Sequence, residues 1–206
     1  MMAVEPPPSY FMDFNLFIQI IFIFIFSVVL AALESQIEGD AGWAGNLPTW
    51  KPSLAHWYVR FYRRIMSGKD MTGYHLFIFG LVFLFMHYPY FAGKEWSWSS
   101  EWATLSLFFL LTIFWDFLWF VINPRYDFRH FWARKVWWHK KWFLHLPIDY
   151  WFGFMFSAIL YVKFSLNWLL FREWLEIVAL FLALTLTVVI FAIKVGIFTI
   201  DSQEQN

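Results

Sequence analysis

Five long apolar stretches divide the sequence, and each is close to the length that an α-helix needs to cross a membrane. A spanning helix takes roughly 20 apolar residues. The stretches cover 14–33, 74–91, 102–122, 150–171 and 174–198. Asn123-Pro124 ends the third stretch, and a very tight turn at Arg172 and Glu173 is expected between the last two. The pattern predicts an all-α, polytopic membrane helix bundle in a single domain, 1–206.

Two further segments, 53–66 and 128–143, are amphipathic rather than uniformly apolar. In a helical projection of the first segment, apolar side chains share one face. The opposite face carries His56, Arg60, Arg63 and Arg64. The second segment separates less cleanly, because apolar and basic residues mix at its edges. We expect two interfacial helices that bind anionic lipid head groups, with an anionic part of a substrate as the alternative ligand of the basic face.

Composition supports the membrane class. The chain is 61% hydrophobic and 15% charged, with 28 Phe and 15 Trp, whereas a soluble domain averages about 25% charged residues. Cysteine is absent, which excludes disulfides and thiolate metal sites. Residues 1–13 contain no Lys or Arg, which argues against a cleaved signal peptide.

The basic residues are concentrated in two loops. Residues 34–73 hold five Lys and Arg and residues 123–148 hold six, together 11 of the 15 in the chain. Basic loops mark the cytoplasmic side of a membrane protein. We therefore expect the N-terminus outside, the C-terminus in the cytoplasm, and both long loops on the cytoplasmic side.

Acids and histidines lie at the cytoplasmic ends of the predicted spans. Glu34 and Glu38 close the first span four residues apart, although a helix C-terminus disfavours negative charge. His75 opens the second span. Asp116 lies in the third span, roughly 10 Å from its cytoplasmic end. Ionisable residues inside a membrane are functional candidates by default. The topology therefore predicts that these four side chains converge at one leaflet.

The second basic loop contributes a histidine to the same leaflet. In the helical projection of 128–143, His139 falls near the centre of the apolar face, whereas His130 falls on the basic face. A histidine that points into an apolar face needs partners for its ring nitrogens. We expect His139 in the site and His130 outside it. Three further candidates of lower weight are His145, Asp149 and Asn123.

Carboxylates and imidazoles without sulfur suit iron, manganese or zinc. The predicted ligands are Glu34, Glu38, His75, Asp116 and His139, and the catalytic roles are assigned to Asp116 and Glu38. A metal would also offset the unfavourable position of the two glutamates. The competing hypothesis is that the glutamates form ion pairs with the arginines at 60, 63 and 64.

The first function hypothesis is a metal-dependent enzyme that acts on a lipid or another hydrophobic substrate. Iron would serve oxidation or desaturation, and zinc would serve hydrolysis by an activated water. The alternatives are a small proton- or ion-coupled transporter and a non-catalytic subunit. Expected partners are membrane lipids, the hydrophobic substrate, and a second copy or a membrane subunit; no nucleic acid is expected. Zinc-protease, bundle di-iron, nucleophile-elbow and P-loop motifs are all missing from the sequence.

Overall fold

The protein is described by a computed structural model that covers residues 12–126, 128–163, 165 and 167–197. Seven helices form most of this part of the chain. They are α1 Phe14–Glu38, α2 Trp57–Ile65, α3 Gly73–Phe91, α4 Trp98–Ile122, α5 Arg129–Trp132, α6 Ile148–Tyr161 and α7 Trp168–Lys194. A short antiparallel hairpin joins β1 Trp142–Phe143 to β2 Leu146–Pro147. The predicted all-α class is confirmed.

Four helices are long and apolar enough to cross a membrane: α1, α3, α4 and α7. This is the mark of an integral membrane protein. Three of them correspond to the predicted spans 14–33, 74–91 and 102–122. The helices extend beyond those limits, and α4 begins four residues earlier than predicted because Ser97 and Ser100 form a reciprocal capping box.

The predictions for 150–171 and 174–198 are wrong in their boundaries. Helix α6 already ends at Tyr161, and α7 begins at Trp168. Arg172 and Glu173, the residues of the predicted tight turn, therefore lie inside α7. The C-terminal limit of the last predicted span falls outside the described residues.

An N-cap explains the early start of α7. The side chain of Asn167 accepts hydrogen bonds from the backbone N–H groups of Leu169 and Leu170, at 3.0 and 3.3 Å. Asparagine is among the best N-cap residues. The charged side chains that suggested a turn are accommodated on the helix surface, where Arg172 Nε lies 3.2 Å from Glu176 Oε1. Such an i, i+4 pair stabilises a helix rather than ending it.

Helix α6 runs antiparallel to α4 along most of its length. Its 14 residues span about 21 Å, which is shorter than the hydrocarbon core of about 30 Å. Near its C-terminal end, Lys163 Nζ donates to Ser99 Oγ at 2.7 Å. In its middle, Ser157 Oγ lies 2.9 Å from Ser106 Oγ. Its N-terminal end reaches the level of Asp116, where the candidate site lies.

Helix α4 is the centre of the bundle and contacts α1, α3, α6 and α7. It is apolar on all sides, as expected of a helix surrounded by others. Its most completely buried apolar residues are Leu110, Leu111, Leu118, Phe120 and Val121. This position makes α4 the rigid element on which Asp116 is carried.

The second predicted interfacial helix, 128–143, does not form. Only the single turn α5 is helical there, and the segment ends in β1. Arg134 takes a left-handed conformation with φ of 58°. Its N–H bonds to Phe131 O at 3.0 Å, and the N–H of Lys135 bonds to His130 O at 2.8 Å. This closing pattern ends helices, but it is usually marked by glycine, and an arginine at this position does not indicate it.

Candidate metal centre

Glu34 and Glu38 at the end of α1 meet His75 from the first turn of α3. The nearest ligand atoms of the three side chains lie within 4.8 Å of one another. His75 Nε2 is 3.6 Å from Glu38 Oε1 and 3.9 Å from Glu34 Oε1. These separations are too long for hydrogen bonds. Atoms bound to one metal at about 2.0–2.2 Å lie about 3.0–3.6 Å apart, so a small side-chain movement would bring all three onto one ion.

The orientation of His75 is fixed by the residues around it. Thr72 caps α3 by accepting from the His75 N–H, and its Oγ1 also lies 2.7 Å from Nδ1 of the ring. Trp43 stacks on the ring with centroids 3.9 Å apart. When Nδ1–H donates to the threonine hydroxyl, the lone pair of Nε2 faces the glutamates. Such support of a ring by a second hydrogen bond is the usual arrangement of a histidine ligand.

The loop after α1 folds back over the glutamates. Glu38 Oε1 accepts a hydrogen bond from Ala44 N at 2.5 Å. To reach this position, Gly39, Gly42, Trp43 and Ala44 all adopt positive φ, between 45° and 64°. A left-handed conformation costs roughly 1–3 kcal/mol at each non-glycine residue. The surrounding contacts must offset this cost, so they determine the conformation of the loop.

A small cavity of about 20 Å³ lies beside the three side chains. It is lined by Glu34, Glu38, Trp43, His75, Phe79, Thr112, Trp115, Asp116, Trp119 and Trp138. This volume accommodates one water-sized guest. Among the described residues, the buried indole N–H of Trp119 has no hydrogen-bond acceptor, whereas the indole N–H of Trp115 faces Glu34. An unpaired buried donor is costly, and an oxygen atom in the cavity is the natural acceptor for it.

Asp116 is oriented from behind the cavity. Its Oδ2 accepts from the Tyr150 hydroxyl at 2.5 Å and lies 3.0 Å from His139 Nε2. The other ring nitrogen of His139 lies 3.2 Å from Asp149 Oδ2. His139 therefore sits behind Asp116, with each ring nitrogen within hydrogen-bonding distance of a carboxylate, rather than in the group of three.

Lys69 continues this chain of charges, although nothing in the sequence singles it out. Its Nζ lies 2.7 Å from Asp149 Oδ2 and 4.5 Å above the Trp43 ring. Burial by itself raises the pKa of Asp149, but the hydrogen bond from His139 and the charge of Lys69 outweigh it and hold that pKa well below its usual range. Lys69 is buried and Lys51 in the same loop is exposed, yet no sequence pattern separates the two.

The predicted basic face lies away from the cavity. Arg63 Nε is 3.3 Å from Asp70 Oδ1, and Arg60 donates to the backbone carbonyls of residues 54 and 55. Arg64 and His56 are exposed. The ion pairs proposed between these arginines and the glutamates at 34 and 38 do not occur in the described part of the chain.

The remaining candidates support the structure around the site. Asn123 is buried, and its Nδ2 donates to Gly39 O at 2.7 Å, which joins the end of α4 to the end of α1. His145 is exposed and lies 3.0 Å from Arg134 Nη2. Neither residue lines the cavity.

Comparison of the chain with known protein families, with curated proteins and with solved structures finds no match. The function must therefore be inferred from the geometry of the site.

Proposed function

We propose that the protein is a metal-dependent membrane enzyme that acts on a lipid or another hydrophobic substrate. Glu34, Glu38 and His75 hold the ion, and Asp116 acts beside it. One observation carries this proposal: three buried ligand residues converge at 3.6–3.9 Å from histidine to carboxylate without a hydrogen bond between them, beside a cavity of suitable size.

Charge gives the second reason for a cation. Three carboxylates line one cavity of about 20 Å³. His139 lies 3.0 Å from Asp116, and Lys69 pairs with Asp149. Within the described residues, no lysine or arginine forms an ion pair with Glu34 or Glu38. Buried carboxylates without compensating charge are strongly disfavoured. A divalent iron, manganese or zinc ion suits this set of ligands and supplies the missing charge.

The chemistry that fits the site best is hydrolysis. The ion held by Glu34, Glu38 and His75 would supply an acidic water molecule. Asp116 would accept the proton of that water through Oδ1, since Oδ2 is held by Tyr150 and His139. The water oxygen would add to an ester, amide or phosphate group, the bond to the leaving group would break, and Asp116 would return the proton to that group. The free indole N–H of Trp119 can stabilise the developing negative oxygen.

The lining of the cavity supports a hydrophobic substrate. Half of the lining residues are aromatic: Trp43, Phe79, Trp115, Trp119 and Trp138. The site also lies at the ends of helices long enough to cross a membrane. A lipid ester or a related amphiphile can present its polar group at this level while its chains remain in the bilayer.

An ion-coupled carrier is the second candidate. It is favoured by the buried chain Asp116, His139, Asp149 and Lys69, which leads away from the cavity through groups that exchange protons. A carrier needs a continuation toward the opposite leaflet. The polar groups there, such as His87 and Glu101, bond to each other and to neighbours in their own end of the bundle.

The decisive experiment compares metal-loaded wild type with Asp116→Asn on phospholipid and nitrophenyl ester substrates. The wild type should release product, whereas Asp116→Asn should keep its metal and lose at least about a hundredfold in rate, since base removal costs 10²–10⁴-fold. Glu101→Gln is the matched control and should behave as wild type. Metal-dependent oxygen consumption without hydrolysis would reject this reaction class, and metal-dependent ion flux in proteoliposomes would favour the carrier.

The proposed orientation puts the site at the cytoplasmic leaflet, because the two basic loops lie at this end of the bundle. Reporters inserted near Gly68 and fused after residue 206 should both read cytoplasmic, and a reporter near Gly93 should read external. A cytoplasmic signal near Gly93 would reverse the orientation.

A further inference from the structure

Helix α2 has two apolar stripes. One packs on the protein, and the other is exposed. Val59 is buried and Tyr62 packs against the core. Trp57, Phe61 and Ile65 are 72%, 59% and 57% exposed. At about 100° per residue, the buried stripe and the exposed apolar stripe lie roughly 120° apart. The exposed apolar stripe therefore points away from the side of α2 that packs on the bundle.

Arginines form a third face of the same helix. Arg60 and Arg64 lie roughly 80° from the exposed apolar stripe on the side away from the bundle. The helix contains no acidic residue. Arg60 is held toward the backbone carbonyls of Leu54 and Ala55 but stays charged. No carboxylate pairs with Arg64 within the ranges that the structure covers, and its side chain is exposed.

Exposed apolar side chains also lie at the ends of the two spanning helices that flank α2 in the chain. Leu33 and Ile37 at the end of α1 are 56% and 49% exposed, and Leu76 and Phe77 at the start of α3 are 49% and 76% exposed. Helix α2 lies between α1 and α3 in the chain and thus at the same end of the bundle. Its apolar stripe needs the same covering as theirs, which is lipid.

We infer that α2 lies in the membrane–water interface and binds anionic lipids. Trp57, Phe61 and Ile65 enter the acyl-chain boundary, and Arg60 and Arg64 contact lipid phosphates. A helix that combines an apolar stripe with a cationic one is suited to such a surface, and juxtamembrane arginines favour anionic leaflets. This inference is independent of the metal centre and of the proposed reaction.

The depth of α2 can be measured directly because the chain has no cysteine. Nitroxide labels on Phe61→Cys and Arg64→Cys in nanodiscs are compared with Leu84→Cys as the lipid reference and Asn46→Cys as the water reference. Position 61 should collide with oxygen like position 84, and position 64 with a nickel chelate like position 46. Equal nickel access at 61 and 46 would overturn the inference. Dipolar broadening at 61 that disappears on dilution with unlabelled protein would also overturn it, because a second copy would then cover the stripe.

The anionic component is tested with the label at position 61 in vesicles of increasing phosphatidylglycerol content. Protection from nickel should increase with that content by at least about twofold in the wild type and remain flat in the Arg60→Gln/Arg64→Gln variant. Lys94→Gln removes one charge at the other end of the bundle and should follow the wild type. If protection from nickel depends neither on the phosphatidylglycerol content nor on the two arginines, the anionic preference is overturned. Helix α2 would then bind the interface through its apolar stripe alone.

Discussion

Helix α3 carries two histidines that face carboxylates, one at each end, and they differ in how they are satisfied. His87 Nε2 lies 3.0 Å from Glu101 Oε1, and its Nδ1 lies 2.7 Å from Phe83 O. The second oxygen of Glu101 accepts from Trp96 at 2.9 Å. At the other end, His75 Nε2 faces Glu34 and Glu38 without a hydrogen bond to either.

This difference separates a structural pair from a candidate ligand set. The outer pair, His87 with Glu101, is complete with the protein's own groups. The inner group, His75 with the two glutamates, has two acids for one imidazole and an adjoining cavity. The residue types are the same, so the number of unmatched charges and the available space distinguish them. Each prediction below tests whether this distinction is functional.

The largest effect is expected from the inner ligands. Glu38→Gln keeps the size of the side chain and its bond to Ala44 but removes charge, and His75→Ala removes a nitrogen ligand. Either change should weaken zinc or iron(II) affinity by more than about a hundredfold, since even supporting residues cost 10–100-fold. Glu101→Gln and His87→Ala should bind as wild type in the same competition titration. Equal losses at both ends would remove the distinction.

The loop over the inner group comes next. A Cβ on Gly42 would lie 2.2 Å from the Trp138 ring, and φ is +60°. Gly42→Ala should destabilise the protein by about 2–4 kcal/mol from conformational cost and overpacking. Gly80 has no atom within 4 Å of such a Cβ, so Gly80→Ala is the control. Chemical denaturation in detergent provides the comparison, and an unchanged Gly42→Ala midpoint would mean that the loop yields easily.

A smaller effect is expected from the residue behind Asp116. His139→Ala removes a contact to both Asp116 and Asp149 and should lower the rate of hydrolysis about 10–100-fold while metal affinity stays unchanged. His130 is exposed, so His130→Ala should change the rate less than about twofold. If both variants hydrolyse the substrate like wild type, Asp116 needs no positioning by this loop.

The smallest effect is expected from the surface arginine. Arg63→Gln breaks a partly exposed pair with Asp70, which is worth about 0–1 kcal/mol. It should leave metal affinity unchanged. A large loss of stability with unchanged metal content would revive the hypothesis that arginines balance the two glutamates.

The sequence predicted the convergence of the site because its members lie on long helices. Glu34, Glu38, His75 and Asp116 all line one cavity, as the shared depth of the helix ends indicated. Apolar length and the spacing of four residues determine such positions with few alternatives. The boundaries of the last two helices were less accessible, since they depend on the single cap of Asn167.

The conformation of the loops depends on long-range contacts more than the positions of the helices do. His139 is buried and His130 exposed, as expected, although the helix that led to this expectation does not form. The apolar residues around His139 carried the correct signal, and the assumed periodicity did not. Lys69 could not be predicted, because its burial results from long-range contacts with Asp149 and Trp43.

The central claim is tested most directly by the metal content of the wild-type protein, purified without chelator. We predict close to one equivalent of iron, manganese or zinc per chain, and a melting temperature that falls when the metal is removed, because a ligand that binds only the folded state stabilises it. A metal-free protein whose melting temperature is indifferent to chelator and to added metal would contradict the metal centre.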